Sequence, residues 1–487
     1  MAGEAFAALL AAGTHWSPDS WRSKPIAQEI IYPDQAELEA ACQRLRSMPP
    51  LVAPARIEVA RRELAEAARG NAFVIQGGDC AESFDDVRGD IVGAKRALVA
   101  RQGEMLHAGL GKPIVEIGRI AGQYAKPRSA LGEMLADGTI ATPFKGDNIN
   151  SRQLNVCGRQ PDPTRLLVGH HLAATTLAML KIVERQACRS CTSLSGHGPA
   201  PKSDSSSQSQ SEATGAPALS RPRGWYTSHE ALNLHLESAL THGNYNTSAE
   251  FLWVGERTRH REGAHVEYVR GLRNPVGIKL GPTADAAELV ALLAVLNPSK
   301  EVGRVTLITR LGASNVERTL PPLIQAVRAS GQLPVWMCDP CHGNTVVTTM
   351  GVKTRLVESI VAEIKSTYEV HQRCASYLGG LHLEQTGEDV TECVDGGSSS
   401  LDHPLLRFPR YHSLCDPRLS GAQALHVVQA FVDLVRERSR DGLPEILYQI
   451  PIHGLTVHEN AAEIGKEMEM KKSVTLESSH LVGQLVT

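Results

Sequence analysis

Four side chains of metal-ligating type stand in short motifs along the chain, three of them just beyond apolar runs. They are Cys80 in Gln76-Gly-Gly-Asp-Cys-Ala-Glu82, His342 in Cys338-Asp-Pro-Cys-His-Gly-Asn344, Glu384 in Leu381-His-Leu-Glu-Gln-Thr-Gly387 and Asp416 in Tyr411-His-Ser-Leu-Cys-Asp-Pro-Arg418. One thiolate, one imidazole and two carboxylates converging from separate segments would hold a catalytic divalent ion. Such mixed ligation suits a borderline ion (Mn, Co, Fe or Zn) better than Mg or Ca, which favour oxygen shells. Each stretch also has a plainer reading. A single cysteine such as Cys80 is commonly a small buried hydrophobe. The pairs Cys338-x-x-Cys341 and Cys188-x-x-Cys191 together would suit a structural zinc, although they lie far apart in the chain.

A second set is cationic: Arg119, Lys126, Arg128, Arg257, Lys279 and Arg310. Gathering so many positive charges at one end of a domain is unfavourable unless phosphates or carboxylates occupy the site. The competing reading is a scatter of surface charges, each paired with a nearby Asp or Glu.

These residues need a scaffold that points separate segments at one spot. Eight short β-rich runs recur: 72–76, 113–117, 224–227, 251–254, 276–279, 305–309, 334–337 and 380–383, and most are followed by a segment of helical character. That alternation predicts an α/β fold, a closed (β/α)8 TIM barrel, with an open doubly wound sheet as competitor. The barrel is preferred because Cys80, Arg119, Glu256, Arg257, Lys279, Arg310, His342 and Glu384 all fall at or just after the carboxyl ends of different runs, where such barrels build their sites. The expected division is an N-terminal extension over 1–70, the barrel over 71–440 and a tail over 441–487. Asp34 is placed to cap a helix bearing Leu38, Ala41, Leu45 and Met48, and Ser420 precedes a helix with Leu425, Val428, Val432 and Val435 at core spacing. A Ser/Gln-rich stretch, 188–223, separates the second and third runs; it is too polar to offset its ordering entropy and is expected to be a disordered insertion.

Composition narrows the class of function. The chain has 487 residues, Lys+Arg 50 against Asp+Glu 53 and a formal net charge of -3, so nothing favours nucleic acid or an anionic membrane as partner. No apolar run is read as long enough to span a bilayer. The run after Met1 lacks the flanking charge of a signal or transit peptide, which leads to an expected cytoplasmic location. Ten cysteines in such a length are expected as thiols.

Seven motifs in order carry a resemblance: 76–82, Gly118-Arg-Ile-Ala-Gly-Gln-Tyr-Ala-Lys-Pro-Arg-Ser129, Trp253-Val-Gly-Glu-Arg-Thr258, Arg273-Asn-Pro-Val-Gly-Ile-Lys279, Leu307-Ile-Thr-Arg-Leu-Gly312, Cys338-Asp-Pro-Cys-His-Gly-Asn-Thr345 and Cys415-Asp-Pro-Arg418. From about Thr14 to Arg440 the chain resembles the class II (plant-type) 3-deoxy-D-arabino-heptulosonate 7-phosphate (DAHP) synthases. The resemblance implies a metal-dependent barrel enzyme that condenses phosphoenolpyruvate with D-erythrose 4-phosphate and releases phosphate, the first step toward chorismate and the aromatic amino acids. By motif it makes Cys80, His342, Glu384 and Asp416 the metal ligands, with Mn, Co or else Zn or Fe as the ion. It assigns Arg119, Glu256, Arg257, Lys279 and Arg310 to phosphoenolpyruvate, and Lys126, Arg128 and Ser129 to erythrose 4-phosphate. Lys279, Arg257 and His342 become the groups central to catalysis. A homo-oligomer and a chorismate mutase partner are further expectations. Cys341 departs from the family, which more commonly has Met there, and the 188–223 stretch replaces helices tied to feedback control. A relative redirected to secondary metabolism and a catalytically silent barrel are the alternatives.

Overall fold

The computed structural model of the protein describes residues 16–130, 132–135, 137–193, 225–397, 401 and 407–440. Eight parallel strands close into a barrel: β1 (Phe73–Gly78), β2 (Ile114–Arg119), β3 (Trp225–Glu230), β4 (Phe251–Val254), β5 (Val276–Leu280), β6 (Val305–Thr309), β7 (Val335–Cys338) and β8 (Leu378–Glu384). Each of the eight runs read from the sequence overlaps one of these strands. Phe73-Val-Ile and Val305-Thr-Leu-Ile are buried along their whole length, as expected of strands sandwiched between a filled barrel interior and a ring of helices. Around them lie α1 (Gln35–Arg46), α2 (Pro54–Ala68), α3 (Gly89–Leu110), α4 (Thr164–Ser193), α5 (Leu234–Ala239), α6 (Ala264–Arg270), α7 (Ala286–Leu296), α8 (Val316–Ala329), α9 (Val357–Arg373) and α10 (Gly421–Arg440).

Helix α1 begins where the sequence places it: the Asp34 side chain accepts from Glu37 N at 2.9 Å, and Leu38, Ala41 and Leu45 are buried. Helix α10 starts in a capping box, Ser420 Oγ accepting from Gln423 N while Gln423 Oε1 accepts from Ser420 N. Its Val428 and Val432 are buried and its Leu425 and Val435 pack against the same core. Helix α2 was not anticipated. Its Ala60, Leu64, Ala67 and Ala68 join Val74, Val115, Phe251, Val335 and Met337 in one apolar cluster, so this helix stoppers the barrel at the amino ends of the strands.

Two expectations change in the segment between β2 and β3. The helix there continues through Ser193, so the expected insertion does not begin at 188. From residue 194 to 223 it lies outside the described residues, as do the run after Met1, the tail over 441–487 and the side chains of Cys188 and Cys191. The same helix contains a stretch, Thr164–Arg185, that is long and apolar enough to cross a membrane, contrary to the reading that no run approaches that length. Small and β-branched residues hid it: Ala173, Ala174, Thr175 and Thr176 break up the leucines in the sequence. In the fold it is a barrel helix, with Leu166 buried against α1, Ala173 beside Tyr124 and Leu180 beside Val92 of α3.

Candidate active site

The barrel register places the polar groups. Gly78 at the end of β1 pairs across to Glu384 of β8 on one side and Arg119 of β2 on the other. Its φ is +151°, and a Cβ there would lie 2.6 Å from Arg119 O. Only glycine therefore lets these neighbours close on each other. Arg119 Nη2 reaches Glu384 Oε1 at 3.1 Å, and Arg355 Nη2 holds Oε2 at 2.6 Å; all three side chains are buried.

Glu384 is the centre of an anionic cluster. Its carboxylate, Cys80 Sγ and an oxygen of Asp416 offer donor atoms within 4.8 Å of one another. His342 joins through Glu384, its Nε2 2.8 Å from Oε1. His342 Nδ1 is 2.7 Å from Asp339 Oδ2, which leaves Nε2 as the nitrogen facing the cluster. Lys126, which the resemblance places on the aldose phosphate, also reaches this cluster: Nζ is 2.7 Å from Cys80 Sγ, 3.1 Å from Asp416 and 3.5 Å from Glu384. This buried ammonium donates to, and offsets part of the negative charge of, the cluster. Its chemistry, one sulfur, one imidazole and two carboxylates, fits a borderline divalent ion. Burial alone would push the Glu384 carboxyl up, yet the charges of His342, Lys126 and Arg355 hold it well below the usual range. Lys126 does the same for Asp416 against its own burial.

Beside this cluster opens a cavity of about 480 Å³ lined by Arg119, Lys126, Arg128, Ser129, Glu256, Arg257, Lys279 and Arg310 among others. The six expected cations thus share one cavity. Arg257 Nη2 donates to Ser129 Oγ at 2.6 Å and Arg310 Nη2 to His342 O at 2.7 Å. Glu256 lines the wall while its carboxylate serves Arg259 and the Gly281 N–H. Lys279, buried in β5, is pushed down to about 8 by burial and by Arg119 against the pull of Asp339.

Several groups escaped the sequence reading. Asp339 is fully buried and grips both Lys279 and His342. His382 Nδ1 contacts Gln76 Oε1 at 2.7 Å, while its Nε2 faces Arg119 and, at 2.8 Å, Lys279. Glu230 ends β3 with Oε1 buried and without a hydrogen-bond partner, and burial raises its carboxyl. Lys353 reaches Asp416 Oδ1 at 3.1 Å from a hairpin strand, Lys353–Arg355. Asp339 and Glu230 do lie at strand ends, and that position was the available signal. The thiols of the Cys338-x-x-Cys341 pair are engaged elsewhere, Cys338 Sγ contacting Thr367 Oγ1 and Cys341 Sγ accepting from Glu384 N, both in an apolar cluster, and the Cys188 and Cys191 side chains lie outside the described residues.

Fold and site together define a (β/α)8-barrel enzyme whose strand ends join an anionic donor cluster to a cationic pocket. The model of the Class-II DAHP synthetase family matches residues 16–432. The chain is 39% identical over 464 residues to the Phospho-2-dehydro-3-deoxyheptonate aldolase of Neurospora crassa, covering 88% of this chain and 95% of that protein. It is 37% identical to the protein of that name from Streptomyces coelicolor, covering 86% and 97%. To Phospho-2-dehydro-3-deoxyheptonate aldolase AroG of Mycolicibacterium smegmatis it is 36% identical, covering 86% and 94%. The chain belongs to the class-II DAHP synthetase family.

Proposed function

We propose that this protein is a DAHP synthase, condensing phosphoenolpyruvate with D-erythrose 4-phosphate and water to give DAHP and inorganic phosphate. The observation that carries the reading is the sharing of one carboxylate, Glu384, between the donor cluster (Cys80, His342, Asp416) and the cationic wall (Arg119, Lys126). It brings an electrophile-activating site within one side chain of an anion-binding site. A divalent ion held by Cys80, His342, Glu384 and Asp416 supplies Lewis-acid polarisation of the aldehyde; Mn or Co is proposed, with Zn or Fe as the other ions suited to this set.

Arg119, Arg257, Lys279 and Arg310 hold the phosphate and carboxylate of phosphoenolpyruvate, and Glu256 fixes the loop through Arg259 and Gly281. Arg128, Ser129 and Lys126 take the aldose phosphate. These contacts align two anions that repel each other in solution. C3 of phosphoenolpyruvate then bonds to the aldehyde carbon, whose oxygen gains a proton to become the new hydroxyl, balanced by the proton released when water adds at C2. The C2–O bond to phosphate then breaks as the added hydroxyl gives up its proton and becomes the C2 carbonyl. Glu230, whose Oε1 is buried without a hydrogen-bond partner in the field of Lys126 and Lys279, suits the role of accepting the water proton.

The test is phosphate release by chelator-stripped protein given both substrates, with and without Mn²⁺ or Co²⁺. Release that requires both substrates and metal is expected; none from folded, metal-reconstituted protein would overturn the reading. The expected homo-oligomer and chorismate mutase partner rest on the family alone and are tested by light scattering and by co-migration with a chorismate mutase.

A further inference from the structure

Helix α9 carries a fully buried acid, Glu363, that takes no part in the chemistry above. Its partners are N–H donors rather than a cation. Leu311 N donates to Oε1 at 2.8 Å and Asn344 Nδ2 to Oε2 at 2.6 Å. Burying a carboxylate against neutral donors is unfavourable unless each lone pair is used, and burial pushes this carboxyl up to about 7. The two donors belong to different loops. Leu311 follows Arg310 at the end of β6, and Asn344 follows His342 after β7.

The loops are joined at other points as well. Asn344 Oδ1 accepts from Ala313 N at 3.1 Å and Asn344 Nδ2 also donates to Pro340 O at 2.7 Å, while Arg310 Nη2 donates to His342 O. Between them the backbones touch through Gly312 and Gly343: a Cβ on Gly343 would lie 2.2 Å from Gly312 N. The two loops therefore form one unit with no side chain separating them, and Glu363 is its anchor on the helix layer.

We propose that Glu363 is a positioning residue that fixes Arg310 and His342 relative to each other, so that the phosphoenolpyruvate cation and the metal-ligating imidazole are set by one buried carboxylate. The inference rests on the proposed function, which makes these two residues binding groups. A charged acceptor strengthens its bonds to the loop N–H groups, and a displacement of about 1 Å at a binding group is enough to lower rate or affinity by orders of magnitude.

The test uses the full chain with Mn²⁺ as probe. In Glu363→Gln the new amide meets the Asn344 amide donor to donor, so one loop must let go. The Michaelis constant for phosphoenolpyruvate and the dissociation constant for Mn²⁺ are each expected to rise tenfold or more, with a smaller fall in kcat. A purely structural role would lower Tm without this paired shift. If Glu363→Gln does not fold, Asn344→Ala removes the same tie from the loop side and should raise both constants by threefold or more. Unchanged constants in the folded variant that is measured overturn the proposal. Wild-type protein that binds neither phosphoenolpyruvate nor Mn²⁺ would instead refute the functional reading.

Discussion

Replacing Asp339 by Asn removes one negative charge from a fully buried position that grips Lys279. At an effective dielectric of about 20, unit charges about 4 Å apart attract by about 4 kcal/mol, or close to three pKa units. Lys279 already sits near 8 because burial and Arg119 disfavour its charge and Asp339 supports it. Without that support it should fall to about 5. At pH 7.5 the ammonium fraction drops from about three quarters to below about 1%, so kcat/KM for phosphoenolpyruvate should fall about 200-fold. The assay is kcat/KM against pH, which reports the free enzyme. In wild type the activity should decline as pH rises through about 8; in Asp339→Asn the same limb should lie well to the acid side. Lys279→Met serves as a control in which the limb is absent. A variant that folds, binds Mn²⁺ and keeps its basic limb near 8 would refute the account of how Asp339 acts.

Three further outcomes are expected. His342→Ala should abolish turnover while the circular dichroism spectrum stays that of wild type; retained metal-dependent activity would remove His342 from the ligand set. Leu64→Ala, in the α2 stopper and with no exposed surface, should lose about 2–5 kcal/mol of unfolding free energy in denaturant titration, and a loss below about 1 kcal/mol would show that the stopper is not close-packed. Burial raises Glu116 to about 7 despite Arg96. Between its unfolded value near 4.5 and this folded value, the native state holds the extra proton, so stability falls as pH rises through that window. The Tm of Glu116→Gln should therefore drop less than that of wild type between pH 5 and pH 7; identical slopes would contradict the shift.

The strands were legible because each is a short β-rich run bounded by turn or charged residues, and eight such runs left few architectures open. The site was legible in outline for a related reason: a side chain at a strand's carboxyl end is aimed by the barrel, so sequence position stands in for spatial position. That logic put Cys80 and Glu384 into one donor cluster and Arg119, Arg257, Lys279 and Arg310 around the cavity beside it. It failed where function depends on what a group pairs with. Nothing in the sequence says that Lys126 reaches back to Cys80, or that Asp339 serves two neighbours at once. Helix α2 escaped because its buried face, Ala60, Leu64, Ala67 and Ala68, is built mainly from alanine, which gives weak amphipathic contrast. Glu363 was out of reach altogether: a lone acid in a helix ordinarily faces water, and only the two loops above it make this one structural.

The pairing of β2 with β3, Glu116 opposite Trp225 and Arg119 opposite Ser228, is made directly between the two strands, and the peptide that connects them adds to it through Gln123 Oε1, which accepts from Glu230 N. Barrel closure is a property of the hydrogen-bonded ring, as α3 packing on α10 also shows. A chain severed between Ser193 and Trp225 would present two pieces whose exposed strand edges, β2 for β3 and β1 for β8, are each other's complement. Fragment complementation should then regenerate the active barrel from separately produced halves, each inert alone.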